Sequence, residues 1–224
     1  MESRQDLVLV TGVTGKQGGA IARELVAKGV RVRGMTRHPE SDSSVASAHR
    51  QTGIPHFENK WRIEQTVRDL GFPTHVVLRP VFFMENLTSP SFLPAIQQGQ
   101  LAVGMEPTTV LQMIAVQDIG KYGAWAFDKH RELNGRGLDI AGDQLTMQDA
   151  ATLISAAAQH PIAFFRVPIE QVRAFGADLA MMLEWFDRTG YDADIAALSR
   201  ESGISPTRFE EWAHAAWKAP VAAS

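Results

Sequence analysis

The 224-residue chain has no cysteine, which excludes a disulfide framework, a thiolate metal centre and a cysteine nucleophile. No other metal site is expected. Charge of one sign is equally scarce: 22 Lys and Arg stand against 25 Asp and Glu, a net charge of −3. Nucleic acid or an anionic membrane surface would call for a basic patch, and the arginines are scattered, so neither partner is expected. No apolar run approaches the roughly 20 residues that span a bilayer. Glu2, Arg4, Gln5 and Asp6 precede a short apolar run, which is not the pattern of a secretory signal. The expected location is cytoplasmic. Internal repeats and low-complexity segments are also lacking. Apolar residues at 45% and charged residues at 21% are ordinary for a soluble globular chain, and the length allows one large domain or a domain with a small appendage.

What is present begins with residues 7–19, LVLVTGVTGKQGG. Four consecutive apolar residues suit one fully buried parallel strand. Glycines at 12, 15, 18 and 19 follow, and a helical pattern runs through residues 20–27. Strand, glycine turn and helix in that order make a phosphate cradle: glycines let the backbone approach a pyrophosphate, and the helix N-terminus offers unpaired N–H groups. The G-x-x-G-x-x-G spacing of Gly12, Gly15 and Gly18 is one residue wider in its first gap than the commoner dinucleotide fingerprint. A bare glycine triplet is weak evidence and could serve strand–helix packing, but its place after a strand and at the opening of a helix favours cofactor binding.

Lys28 and Gly29 end this helix, and a second strand, RVRGMTRHP, closes a βαβ unit. An acidic residue at the end of that strand would bond the ribose 2′-hydroxyl of NAD. Here Thr36 and Arg37 stand instead, and a guanidinium suits a 2′-phosphate. The expected cofactor is therefore NADP(H) in preference to NAD(H), unless Arg37 is simply a solvated surface residue. An amphipathic helix over 56–70 follows, with the stripe Phe57, Trp61, Ile63, Glu64, Val67 and Leu70, and with His56 and Lys60 one turn apart. A strand over 74–80 leads to the aromatic loop VFFMENL. Further strands are expected at 112–116, 138–141 and 163–167. Helices are expected at 91–98, at 119–130 behind an Asp118 cap, and at 146–159. The last part of the chain reads as helices over 169–175, 176–188, 195–201 and 206–217. Met181, Met182, Leu183, Trp185 and Phe186 form a dense apolar group, which is either core or the floor of an apolar pocket.

TGVTGKQGG, Thr36-Arg37-His38-Pro39, HFENKWRIE, RPVFFMENL and VQDIG occur in this order, and together they resemble the NmrA-like family. These are atypical relatives of the short-chain dehydrogenases that include NADP(H)-sensing regulators and NAD(P)H-dependent reductases. The resemblance implies an α/β, Rossmann-like doubly wound parallel sheet with a small C-terminal helical lobe. The expected division is a dinucleotide-binding core over 1–130 and a mostly helical lobe over 131–224, interleaved with it. It further implies that Gly12, Val13, Thr14, Gly15, Lys16, Gln17 and Gly18 wrap the pyrophosphate and that Arg37 takes the 2′-phosphate. Lys60 would stand at the lysine of the dehydrogenases' Tyr-x-x-x-Lys motif, near the nicotinamide ribose. Pro80, Phe82, Glu85 and Asn86 would lie over the nicotinamide. The resemblance leaves room for a regulatory protein partner and for a homodimer.

Two departures bear on activity. His56 replaces the tyrosine that, with its lysine, moves the proton accompanying hydride transfer. An imidazole can move protons near neutral pH, although a histidine at a helix start can equally be a cap or a surface residue. Lys60 and His56 are thus the catalytic candidates. The second departure is the short polar segment between Arg37 and His56, which cannot hold a βαβ crossover together with further strands. Strands three to five with their helices, roughly 70 residues, are missing near residues 42–44, so the sheet is expected to be shortened, with the flanks of central strands exposed. Two functions are open: an NADP(H)-binding, redox-sensing regulator of weak or no turnover, or an NADPH-dependent reductase of a small apolar carbonyl or quinone-like substrate using Lys60.

Overall fold

The computed structural model describes residues 7–11, 15–35 and 52–217. Strand β1 (Leu7–Thr11) lies parallel to β2 (Arg31–Met35), with Val8 opposite Val32, and helix α1 (Lys16–Ala27) joins them. The inward face of α1 is Ala20, Ala22 and Leu25. Lys28 ends it, Gly29 takes φ +78°, and the amides of Gly29 and Val30 return to the carbonyls of Val26 and Leu25. That left-handed closure is open to glycine at little cost.

Helix α2 (Pro55–Asp69) opens with proline in its first turn, where a missing N–H costs nothing. The expected apolar stripe is only partly inward. Phe57 is buried, but Ile63 and Leu70 are 58% and 63% exposed. Glu64 is buried instead, because Arg79 clasps it through two hydrogen bonds, Nε to Oε2 at 2.9 Å and a second nitrogen to Oε1 at 2.6 Å, and Arg68 adds a third at 2.8 Å. Burial works to raise the Glu64 carboxyl, but the bonds and charges of Arg79 and Arg68 outweigh it and hold it below the usual carboxylate range.

The remaining elements follow in order: β3 (Val77–Pro80), β4 (Phe82–Phe83), a 3₁₀ turn (Met84–Thr88), α3 (Leu93–Gln97), β5 (Gln100–Val103), β6 (Val110–Ile114) and α4 (Val116–Asp128). After these come β7 (Gly137–Ile140), β8 (Asp143–Thr146), α5 (Met147–Ala158), β9 (Ala163–Arg166), α6 (Ile169–Phe175), α7 (Ala177–Arg188), α8 (Ile195–Ser202) and α9 (Phe209–Ala216). The β3–β7, β4–β6 and β5–β9 pairs are parallel, and β6–β8 is antiparallel. These parallel pairs and the closing run of helices give an α/β, Rossmann-like fold with a C-terminal helical part.

Two elements differ from expectation in a way that touches the site. Strand β6 ends at Ile114, so α4 starts at Val116 with Ala115 as its cap. Asp118 is therefore not a cap. It is fully buried within the first turn, where its carboxylate accepts from Lys121 at 2.6 Å and from the Thr207 amide at 2.6 Å. A tertiary contact nearly ninety residues away has taken the side chain that a local reading assigns to the helix end.

Among the described residues β1 pairs only with β2, and β3 only with β7. The expected break near residues 42–44 lies outside the described residues. An open cavity of about 540 Å³ lies between the α1–α4 layer and the start of β3, lined by Gln17, Ile21, Val76, Leu78, Ala126 and Phe127. Among the described residues, burial is distributed over three clusters. The largest joins β5, α5, α7 and α9, a second joins β3, β4, β7, α4 and α8, and a small one joins Val10, Ala22, Leu25 and Ala124.

Helix α4 meets α1 through two glycines. A Cβ on Gly120 would stand 2.8 Å from the Ala20 carbonyl oxygen, and one on Gly123 would stand 2.5 Å from the Ile21 side chain. In an exposed helix, alanine in place of glycine gains about 1 kcal/mol. Because the Ala20 carbonyl cannot swing away as a side chain can, Gly120→Ala is expected to reverse that sign and cost about 1–3 kcal/mol. Thermal melts check this. A variant that melts higher than the parent would show that the two helices do not meet at these residues.

Candidate functional site

The glycine turn is described from Gly15 onward. Gly12, Val13 and Thr14 lie outside the described residues, as does Arg37. Gly15 is extended (φ −82°, ψ 166°) and caps α1, and the first helical bond runs from the Gly19 amide to its carbonyl at 2.9 Å. The amides of Lys16, Gln17 and Gly18 lie in the first turn of the helix, ahead of its first intrahelical bond. Gly15 has no side chain to cap them, and that turn carries no acidic residue. Partial positive charge from the helix end and the Lys16 ammonium converge where the sequence expects a pyrophosphate.

The expected loop residues meet this helix. Lys16 Nζ donates to Asn86 Oδ1 at 3.3 Å, across seventy residues of sequence. Pro80 is buried at the end of β3, and Phe82 is half-buried in β4. Glu85 is placed otherwise than as an open ligand. Both of its carboxylate oxygens accept from the Val116 amide at 3.0 Å, and Oε1 also accepts from Trp212 Nε1 at 3.2 Å. A carboxylate on the first amide of α4 is a favourable partner for the helix dipole. Burial nevertheless raises the Glu85 carboxyl above its ordinary range, opposed by the bonds from Val116, its own backbone and Trp212 and by the charge of Lys16.

His56 and Lys60 stand on α2, away from that contact set. The His56 imidazole packs edge-on against Phe57 with centroids 4.5 Å apart, and its Nδ1 is hydrogen-bonded to Asp178 Oδ2 at the start of α7. Lys60 is half-buried, and burial lowers its ammonium below the ordinary lysine range. Beside α7 lies an apolar cavity of about 410 Å³, lined among others by Phe82, Phe92, Met105, Met182, Leu183 and Phe186. The Met181–Phe186 group thus has both roles that the sequence leaves open. Trp185 and Phe186 are core residues, and Phe186 shares the cavity wall with Met182 and Leu183.

Sequence reasoning misses Asp178, Trp212 and the Val116 amide. Each is joined to its partner across at least 31 residues, so no local spacing signals the pairing. Among the described residues, no helix is long and apolar enough to cross a membrane.

The chain matches the NmrA-like family over residues 42–213, more than half of its length. No curated protein matches. Among solved structures, the triphenylmethane reductase of Citrobacter sp., complexed with NADP(H), is 13% identical with a TM-score of 0.74, covering 95% of this chain and 100% of that one. An NADPH-dependent quinone oxidoreductase from Escherichia coli, complexed with NADPH, is 14% identical with a TM-score of 0.74 and the same coverage. NmrA, a negative transcriptional regulator solved with NADP, is 13% identical with a TM-score of 0.72, covering 94% of this chain and 95% of that one. At such identities the likeness is one of fold.

The raised Glu85 carboxyl gives a pH dependence of known sign. Its folded value lies above its unfolded one, so its contribution to stability is complete below the unfolded value near 4.5 and is lost as pH rises through the folded value. Glu85→Gln keeps one oxygen to accept from Val116 and Trp212 and removes the half-buried charge. The variant is expected to melt above the parent at pH 7 and to converge with it near pH 4. A variant that melts lower at pH 7 would mean that the charged hydrogen bonds outweigh burial.

Proposed function

Because the chain belongs to the NmrA-like family, we propose that it binds a nicotinamide dinucleotide, NADP(H) in preference to NAD(H), and serves as a redox-sensing regulator through a protein partner. The observation that carries this reading is the first turn of α1, which carries no acidic residue and begins with Lys16, with Asn86 bonded to Lys16. These donors suit a pyrophosphate: backbone amides, one cation and no competing acid in the turn. Gly12 to Gly18 hold the phosphates, Arg37 pairs with the 2′-phosphate, and Lys60 stands by the nicotinamide ribose. The loop of Pro80, Phe82 and Asn86 covers the nicotinamide. Glu85 serves that loop from behind, since its carboxylate is engaged by Val116 and Trp212. The core over 1–130 carries these residues, and the lobe over 131–224 faces the substrate or partner. His56, standing where the active short-chain dehydrogenases carry tyrosine, favours sensing over rapid turnover.

A second reading is supported by one specific observation, the apolar cavity of about 410 Å³ that shares Phe82 with the cofactor loop. Its size and lining suit a small aromatic or quinone-like molecule. When bound, the reduced dinucleotide supplies a hydride. The chain's part is to exclude water with Phe82, Met182 and Phe186 and to bring a proton from Lys60 or His56. Steady NADPH oxidation with a simple quinone at ordinary enzymatic rates selects this reading over the first.

Calorimetric titration of the chain with NADPH beside NADH tests cofactor choice. Wild type is expected to bind NADPH at least tenfold more tightly. Arg37→Ala is expected to weaken NADPH by about tenfold, the equivalent of ~1.4 kcal/mol, and to leave NADH unchanged. Equal affinity for both cofactors in the wild type, or no binding by a folded sample, would overturn the assignment.

A further inference from the structure

Helices α6 and α7 form a hairpin that walls one side of the apolar cavity. Val172 and Phe175 on α6, and Leu179, Met182, Leu183 and Phe186 on α7, stand at helical spacings and all line it. The deep part of this wall lies against Gly104, just after β5, where a Cβ would stand 2.7 Å from Val172 Cγ2 and 3.2 Å from Leu183 Cδ1. Exposure then rises along the row. Val172, Leu183 and Phe186 are buried, Leu179 is 37% exposed, and Phe175, beside the Gly176 turn, is 88% exposed. The cavity therefore opens at the hairpin tip, and Phe175 stands at its rim.

Among the described residues the lining carries no charged side chain, and Ser91 is its one hydroxyl. Met105, Met147 and Met182 give it thioethers, which adapt to irregular shapes. Arg173, two residues before the rim, is paired with Glu184 across the hairpin. An ionised ligand group entering this cavity would lose its water and find no partner, so the site selects uncharged molecules. A phenylalanine ring in water gains by being covered, and at this rim an apolar molecule filling the cavity supplies the covering surface.

We propose that Phe175 is a specificity-determining residue that packs over an uncharged, fused-ring aromatic molecule whose body fills the cavity, while anionic relatives of that molecule are refused. This rests on the second reading above, in which the same cavity holds the substrate. The role is one of binding alone, with no bond made or broken by Phe175. Because its ring is almost wholly exposed, it contributes little to the fold, and its removal is expected to leave the melting temperature unchanged.

Calorimetric titration of the full chain, with NADP+ present, tests this with menadione and with 1,2-naphthoquinone-4-sulfonate. The chain has no cysteine, so neither quinone can form a thiol adduct with it. Wild type is expected to bind menadione, and to bind the sulfonate at least tenfold more weakly. Phe175→Ala should melt with the parent yet lose about tenfold in menadione affinity, and Phe175→Trp should restore it. Phe175→Lys, which puts a cation at the rim, should shift the preference towards the sulfonate. Menadione binding that Phe175→Ala leaves unchanged overturns the role of Phe175 and leaves the second reading standing. No menadione binding by folded wild type defeats that reading and this inference together. Self-association of the wild type that Phe175→Ala abolishes, with menadione affinity unaltered, would assign the rim to an interface between copies instead.

Discussion

One half-buried carboxylate joins three distant elements of this molecule. Glu85 accepts from the first amide of α4 and from the Trp212 indole on α9, and its neighbour Asn86 accepts from Lys16 on α1. Three elements distant in sequence thus meet on a single 3₁₀ turn. A carboxyl whose ionisation is disfavoured by burial is tolerated there because donors surround it on more than one side. Its removal would release the loop, the start of α4 and the C-terminal helix together.

The same logic recurs one layer down. Arg79 on β3 clasps Glu64 on α2, fixing the helix that carries His56 and Lys60 against the strand that leads into the Phe82 loop. Breaking either partner would strand a charge. Between these two polar joints the packing is apolar, with α7 as the divider between α2 and the cavity. The start of α1 offers backbone amides and a lysine, and the cavity is walled by aromatic, aliphatic and thioether side chains. A molecule that is charged at one end and apolar at the other matches that gradient.

Much of this was legible in the sequence because it is local. The LVLV strand, the Lys28-Gly29 stop and the helix starting at Thr146 each declare themselves within a few residues, and Thr146 caps that helix by accepting from the Asp149 amide. The family's motifs carry the fold. Short strands such as β5 and β8 escape, since four residues with partial alternation have no signature until their partners are known. Long-range polar pairing is the other blind spot. Asp118 reads as a helix cap and is a buried acceptor for Thr207, Glu64 interrupts an apolar stripe because its partners are arginines, and Glu85 reads as a loop ligand before Trp212 is in view. Ile63 and Leu70 on α2 look like core in the sequence and are exposed.

If the 3₁₀ turn truly couples the phosphate cradle to the rest of the chain, occupancy of the cradle must be felt there. Hydrogen–deuterium exchange with and without NADPH measures this directly. Slower exchange is expected in two separate stretches at once, residues 16–20 and residues 84–88. Protection of neither stretch at saturating NADPH, or protection confined to residues distant from both, would contradict the coupling on which this account rests.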